Sequence, residues 1–268
     1  MDTDTLHITR PFERMGARVE VVPFAPRRGI ANGRVRVDIV KDHRGQKFSI
    51  AMHDSVRLCV PDVDPAQRHL LLNCVVAETS QRHKYLCGHD EREWFAAAVP
   101  DRRGVSGVRT AIEALKPGAV VREVARRGVH PDEYASRNTA AYKRQGEWFF
   151  IPHENFRPPE LLVRRNERLS RNDRGKPHWA DFGYRTGGET VFSTDGLGWI
   201  TLEQYKKFVQ RRHWANARWT TAQRNAQLYV KGRIRHPDHA TITLDCWHMV
   251  QMNTENESAA MRHLAFID

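Results

Sequence analysis

Apolar and polar positions alternate over RVRVDIV (34–40) and QKFSIAM (46–52), and Asp42-His43-Arg44-Gly45 between them is turn chemistry. The pair reads as a β-hairpin. SVRLCVPDV (55–63) and RHLLLNCVVAE (68–78) continue the strand pattern, the second apolar enough for a central position. A first sheet is expected over 34–87. YLC (85–87) reads as a strand, and Asp90 with Glu93 as an N-cap and N3 pair predicts a helix over 91–99, stopped by Pro100. VRTAIEALK (108–116), closed by Pro117-Gly118, and AVVREVARR (119–127), ended by Gly128, predict two more helices.

EWFFI (147–151) reads as a buried strand whose aromatic run faces both ways and lies mainly in the core. The Arg-, Pro- and Asn-rich stretch 157–177 reads as a long surface loop, of the kind that is functional or disordered. HWADFGYRTGGETVF (178–192) predicts a hairpin turning at Thr186-Gly187-Gly188. Thr201 with Gln204 caps a helix over 202–214. LYVKGRIRH (228–236) and ATITLDCWHMVQM (240–252) form an antiparallel pair, followed by a polar NTENES stretch and RHLAFID. Residues 1–33 read as an irregular arm with an RRGIANG loop and one short strand at 18–22. Strands, then helices, then strands imply α+β with mostly antiparallel sheet. The expected organisation is a β-rich part (1–100), a helical connection (101–136) and a basic α+β part (137–268), or one continuous domain.

Charge changes the picture. The chain of 268 residues carries a formal charge of +11, and the window 206–235 holds nine Lys or Arg and no Asp or Glu, leaving the rest nearly balanced. Concentrated basicity marks a binding face more than general solubility. Lys206, Lys207, Arg211, Arg212, Arg218, Arg224, Lys231, Arg233 and Arg235 are the expected phosphate contacts, with Trp214 and Trp219 as stacking partners. The interleaved aromatics favour RNA or single-stranded DNA, and no helix-turn-helix or zinc-finger pattern appears. Cys59, Cys74, Cys87 and Cys246 form no CxxC pair, so free thiols and a reducing, cytoplasmic setting are expected. No long apolar run and no secretory pattern is visible, so no membrane association is expected.

Fourteen histidines raise the question of histidine chemistry. His236 and His239 flank the Pro237-Asp238 turn, with His248, His178 and His153 as candidates to join them. Neutral imidazoles with Asp238 or Asp245 could hold a divalent transition metal. A metal-free pair could instead move protons, one taking a 2′-hydroxyl proton and the other protonating the leaving oxygen. Pro-Asp is also ordinary turn chemistry. Cys87 and His89, at a predicted strand-to-helix turn, are a second possible metal pair, or Cys87 a thiol activated by a helix N-terminus. No deaminase P-C-x-x-C, G-x-S-x-G, Walker loop or dinucleotide fingerprint is present, and carboxylates are too scattered for a two-metal site.

CGHDEREWFAAAVP (87–100) and RQGEWFFIP (144–152) resemble segments of an uncharacterised bacterial family. The resemblance implies a bacterial source and no residue roles. The expected function is nucleic-acid binding through 206–235. The alternatives are a phosphodiester-processing, nuclease-like enzyme using His236, His239 and His248, and an interaction subunit for an acidic protein partner.

Overall fold

The structure is a computed structural model that describes residues 3–25, 34–170, 176–214 and 216–257. Strand makes up 49% and helix 17%, in four antiparallel-rich sheets, so the chain is α+β with sheet dominant. The 27–33 loop and the RHLAFID end lie outside the described residues.

The irregular arm expected at the start contains a helix, α1 (Thr3–Arg14). Ile8, Phe12 and Met15, at helical spacing, are each 1% exposed or less, and this stripe holds α1 on the core although Pro11 lies inside it. The strands β1 (Val19–Pro23), β2 (Val35–Asp42) and β3 (Gly45–Met52) form a sheet ordered β1-β3-β2, with the expected turn from Asp42 to Gly45.

Next come β4 (Val56–Asp64), β5 (His69–Val76), β6 (Arg82–Asp90) and β7 (Glu93–Val99), an antiparallel meander. The helix expected over 91–99 is instead β7, paired to β6 in a register that sets Asp90 opposite Glu93. Alternation decides it. One face of β6–β7 joins Phe12, Phe48 and Leu70, and the other (Leu86, Ala97, Val99) joins α2 (Val108–Ala114). A strand buries both sets, whereas a one-sided helix could not. Asp90 caps nothing; its carboxylate meets Arg137 and Arg144. Helix α3 (Gly118–Arg127) ends on Gly128 in the left-handed region, as the sequence implies.

The second half is built on a six-stranded sheet. Its members are β8 (Lys143–Gln145), β9 (Trp148–Pro152), β10 (Arg164–Leu169), β11 (His178–Thr186), and, later in the chain, two long C-terminal strands. Trp148 and Phe150 enter the core of this sheet while Phe149 packs under α3, so the WFF run is core on both faces. The strand β10 occupies part of the stretch expected to be loop; Glu167 and Leu169 are buried there.

The chain does not turn back at Gly187-Gly188. Beyond it β12 (Glu189–Thr194) pairs with β13 (Leu197–Thr201) and, after helix α4 (Leu202–Val209), with β14 (Thr220–Arg224). The last strands are β15 (Gln227–Arg235) and β16 (Ile242–Met252), the expected antiparallel pair. The large sheet runs β10-β11-β15-β16-β9-β8. Strands β11 and β15 therefore continue past Gly187-Gly188 and Asn225-Ala226 as β12 and β14, one ribbon with a kink. A side chain at Gly188 would lie 2.6 Å from the Arg224 carbonyl oxygen, so the close crossing at the kink needs glycine. The predicted hairpin fails because these glycines bend a ribbon instead of closing one. All four cysteines are free, and no helix among the described residues is long and apolar enough to cross a membrane.

Candidate functional site

Three hairpin turns and one strand start meet at one end of the strands of the large sheet. His178 is the first residue of β11 and is 2% exposed; His236 follows β15 directly, and His239 stands at the far side of the Pro237-Asp238 turn. The His178 and His236 rings stack with centroids 4.2 Å apart, and His239 lies 4.7 Å from His236 and 5.5 Å from His178. One ring nitrogen from each lies within 4.8 Å of the other two. His236 is fixed by backbone: Nδ1 accepts the Asp238 N–H at 3.1 Å, so Nε2 carries the proton and donates to the Lys176 carbonyl at 3.2 Å.

The β8–β9 turn closes the group from above. Gln145 is fully buried, and its amide nitrogen donates to the carbonyls of Ala240 at 2.5 Å and Ile234 at 3.4 Å, tying this turn to the histidine turn. Gly146 follows with φ 57°. A methyl group there would lie 3.0 Å from His239 Nε2 and 3.5 Å from His178 Nε2. The space between these two nitrogens is open because residue 146 has no side chain. His178 Nε2, His239 Nδ1 and Gln145 Oε1 are all buried without a hydrogen-bond partner among the described residues. Buried polar atoms are seldom left so, and three of them around one turn mark the place as chemically unusual.

Across the group lies the β6–β7 turn. Glu91 Oε2 accepts the Ala240 N–H at 2.6 Å and stands 3.8 Å from His239 Nδ1, while Oε1 takes Arg137 Nη1 at 2.8 Å. Asp90, Glu91 and His239 form a second set of potential metal donors, so His239 belongs to both. A cleft of about 360 Å³, lined by Asp90, Trp94, Arg144, Gly146, Glu147 and His239 among others, opens beside it.

Burial and the neighbouring imidazoles push His178 down to about 3, and burial lowers His236 as well. Both rings are neutral at pH 7. Neutral imidazoles offer lone pairs. Lys176 holds the Asp238 carboxyl below its usual range, through bonds of 2.9 and 3.0 Å.

Other sequence candidates fall elsewhere. His248 pairs with Val230 along β15–β16, well up the strand from His236, and its Nδ1 meets Cys246. His153 packs on Tyr229 in that same region. Cys87 is buried mid-strand in β6 with its thiol raised by burial, and His89 packs on Trp94; no described group of potential metal donors contains either. The helix N-terminus that would have activated Cys87 is a strand.

The basic window 206–235 is divided between two places along the kinked ribbon. Lys206, Lys207, Arg211, Arg212 and Arg218 are exposed on α4 and the segment after it. Trp214 and Trp219 are half-buried and pack with Phe208, Tyr205 and each other. Arg224 donates to the Trp199 carbonyl. Lys231, Arg233 and Arg235 lie instead on the large sheet, where Asp181 pairs with Arg233 at 3.1 Å and Arg235 at 3.4 Å.

Sequence reading missed what stands beside them. The register places Arg168 opposite Trp179 and Trp179 opposite Arg235; it likewise places Arg165 opposite Phe182 and Phe182 opposite Lys231. A register shift between Ala180 and Phe182 breaks the alternation. Trp179 and Phe182, three residues apart, thus share the solvent side at 39% and 37% exposure, while Ala180 and Gly183 are buried. Two parallel rows result, each an exposed aromatic flanked by cations.

Fold and site together define an α+β, sheet-dominated protein with a basic, aromatic-bearing sheet face and, at the strand ends, a histidine group that could hold a metal ion. No family model, no curated protein and no solved structure matches the chain.

Proposed function

We propose that this is a cytoplasmic nucleic-acid-binding protein that takes RNA or single-stranded DNA across the exposed face of β10, β11 and β15. The observation that carries the reading is the pair of rows Arg168–Trp179–Arg235 and Arg165–Phe182–Lys231. Directly opposed residues on neighbouring strands share a face and sit about 5 Å apart. Each row therefore sets an aromatic surface for a base between two cations for the flanking phosphates. Lys206, Lys207, Arg211, Arg212 and Arg218 on the arm extend the same positive field and would guide a longer strand. The free thiols suit a reducing compartment.

The test is fluorescence anisotropy with end-labelled single- and double-stranded RNA and DNA at several salt concentrations. Stacking is worth about 1–3 kcal/mol per base, so Trp179→Ala and Phe182→Ala should each weaken single-strand binding roughly 5- to 150-fold. Arg165→Glu should weaken it and flatten the salt dependence. Unchanged affinity in the two aromatic variants sinks this reading. Failure to bind any nucleic acid, with stable capture of an acidic protein, would make the face a protein interface instead.

A second reading, phosphodiester processing at the histidine group with a divalent transition metal, is supported by one observation: His178 precedes Trp179 and His236 follows Arg235, so the group sits at the end of a row. A denaturing gel of the same samples, with and without chelator, decides it. Intact strands throughout would retire it.

A further inference from the structure

The geometry points to a divalent transition-metal site formed by His178, His239 and His236, with Glu91 backing His239, a site that stands whether or not nucleic acid binds. Four independent features converge on it. First, His178 Nε2 is buried without a hydrogen-bond partner among the described residues, on a residue 2% exposed, and faces the same small space as His239 Nε2. Second, that space is kept open by Gly146, whose missing side chain would have filled it. Third, the other nitrogen of His239 faces the Glu91 carboxylate at 3.8 Å, itself anchored by the Ala240 N–H and by Arg137. A carboxylate behind a ligating imidazole is the usual second layer of a metal site; at 3.8 Å Glu91 is near His239 Nδ1 but not bonded to it, and a small closing movement would make the bond that leaves Nε2 free. Fourth, the donor set is imidazole, which selects zinc, cobalt, nickel or copper over magnesium and calcium.

The distances set what must move. Zinc–nitrogen bonds of about 2.0–2.1 Å put tetrahedral donors ~3.4 Å apart, and here the three donors lie within 4.8 Å of one another. Closing in shortens the separations by up to about 1.4 Å, within the reach of side-chain torsions on the two turn residues. His236 has a different status. It completes a three-nitrogen set only by giving up one of the backbone bonds that now hold its ring. His178 and His239 are therefore the principal ligands and His236 the weaker third. Three nitrogens leave a fourth position open, the pattern of a reactive ion more than of a closed structural one. The cleft lined by Gly146, Glu147 and His239 gives access to it.

The test uses the full chain without nucleic acid, so its outcome is separate from that of strand binding. Chelator-treated protein is titrated with Zn²⁺ by calorimetry and with Co²⁺ by visible absorption. The expected result is one ion per chain, with the d–d bands of nitrogen-ligated, four- or five-coordinate cobalt. His239→Gln should weaken binding at least ~100-fold, while Glu91→Gln weakens it ~10-fold, in the range that outer carboxylates contribute. His236→Gln should cost less than His239→Gln. Gly146→Ala should abolish binding by filling the space. Because His178 is buried, His178→Gln is read only alongside its far-UV spectrum, and His239→Gln and Glu91→Gln carry the test if it does not fold. Saturable binding that survives His239→Gln and Gly146→Ala unchanged, or no binding of either ion to the wild-type chain, overturns the site.

Discussion

Glu91 holds an unfavourable backbone and a favourable carboxylate at once, and the two can be separated by substitution. It is the first loop residue of the β6–β7 turn, at φ 48°. For a residue with a Cβ, the left-handed region costs roughly 1–2 kcal/mol. Its carboxylate takes the Ala240 N–H at 2.6 Å and Arg137 Nη1 at 2.8 Å, joining the N-terminal meander to the histidine turn and to the segment before β8. Hydrogen bonds to charged groups contribute about 1.5–3 kcal/mol each when shielded. Both are partly open to solvent here, so ~2 kcal/mol for the two together is the discounted figure.

Glu91→Ala should therefore lose ~2 kcal/mol, because the carboxylate goes and the strained backbone stays. Glu91→Gly should lose only ~1 kcal/mol, since glycine relieves about 1 kcal/mol of strain. Glu91→Gln, which keeps an acceptor for Ala240, should fall between wild type and Glu91→Ala. The assay is urea unfolding followed by far-UV circular dichroism, comparing midpoints at unchanged slope. Equal midpoints for Ala and Gly would refute the backbone part of the reasoning. A Glu91→Ala midpoint equal to wild type would refute the clamp.

Three further outcomes are expected. Asp181 neutralises Arg233 and Arg235 in the middle of the basic face, so Asp181→Asn, which keeps an acceptor for the Arg233 N–H, should tighten single-strand binding ~5-fold and steepen its salt dependence; weaker binding would show that Asp181 positions those arginines. His178 is held at about 3 in the fold against an ordinary 6.5, so the unfolded chain takes up its proton first. Stability is thus retained above pH 6.5 and lost as the pH falls from 6.5 towards 3, by up to ~1.4 kcal/mol per pH unit from this group; urea midpoints at stepped pH measure it, and His178→Gln should reduce the slope. Thr201 caps α4 in a reciprocal pair with Gln204, so Thr201→Ala should cost about 1 kcal/mol locally, seen as ~5-fold faster amide exchange in α4 with little change in the global midpoint. Exchange unchanged in α4 would show that the cap does not limit its opening.

Elements with local signals were legible. The hairpin of β2 and β3, helices α2 and α3, the Thr201 cap, and the pairing of β15 with β16 all announce themselves within a few residues. Elements whose identity depends on distant partners were not. EWFAAAV has the composition of a helix and becomes β7 because both its faces meet separate cores. Trp179 and Phe182 sit three apart, a spacing that period-two alternation assigns to opposite faces, and a register shift set by β15 brings them together. Trp214 and Trp219 stand in a polar context and end half-buried against each other, Phe208 and Tyr205, contacts that come from α4 and the segment after it. At the histidine group, His236 and His239 could be paired from the turn alone. Of the three histidines named as candidates to join them, His178 does so while His153 and His248 stand elsewhere, whereas Gly146 and Glu91 come from two further segments, and an absent side chain gives no sequence signal.

The adjacency of His178 to Trp179 and of His236 to Arg235 has a thermodynamic consequence. A divalent ion at the histidines would lie about 10 Å from a phosphate held by Arg235, roughly three strand residues. In a medium close to water, two positive charges and one negative at that distance attract by ~0.8 kcal/mol. Nucleic-acid affinity should then rise about fourfold with zinc present, and zinc affinity should rise by the same factor with oligonucleotide present, because coupling between two sites is reciprocal. Anisotropy with and without chelator gives the first factor, and calorimetry with and without a short single strand gives the second. High salt should shrink both together, since the ion and the phosphate stand about one Debye length apart at 0.1 M. Equal factors that vanish in salt would tie the metal to the face electrostatically. Unequal factors would mean that one ligand also binds elsewhere, and a factor of one in both would place the bound strand away from the Trp179 end of the sheet.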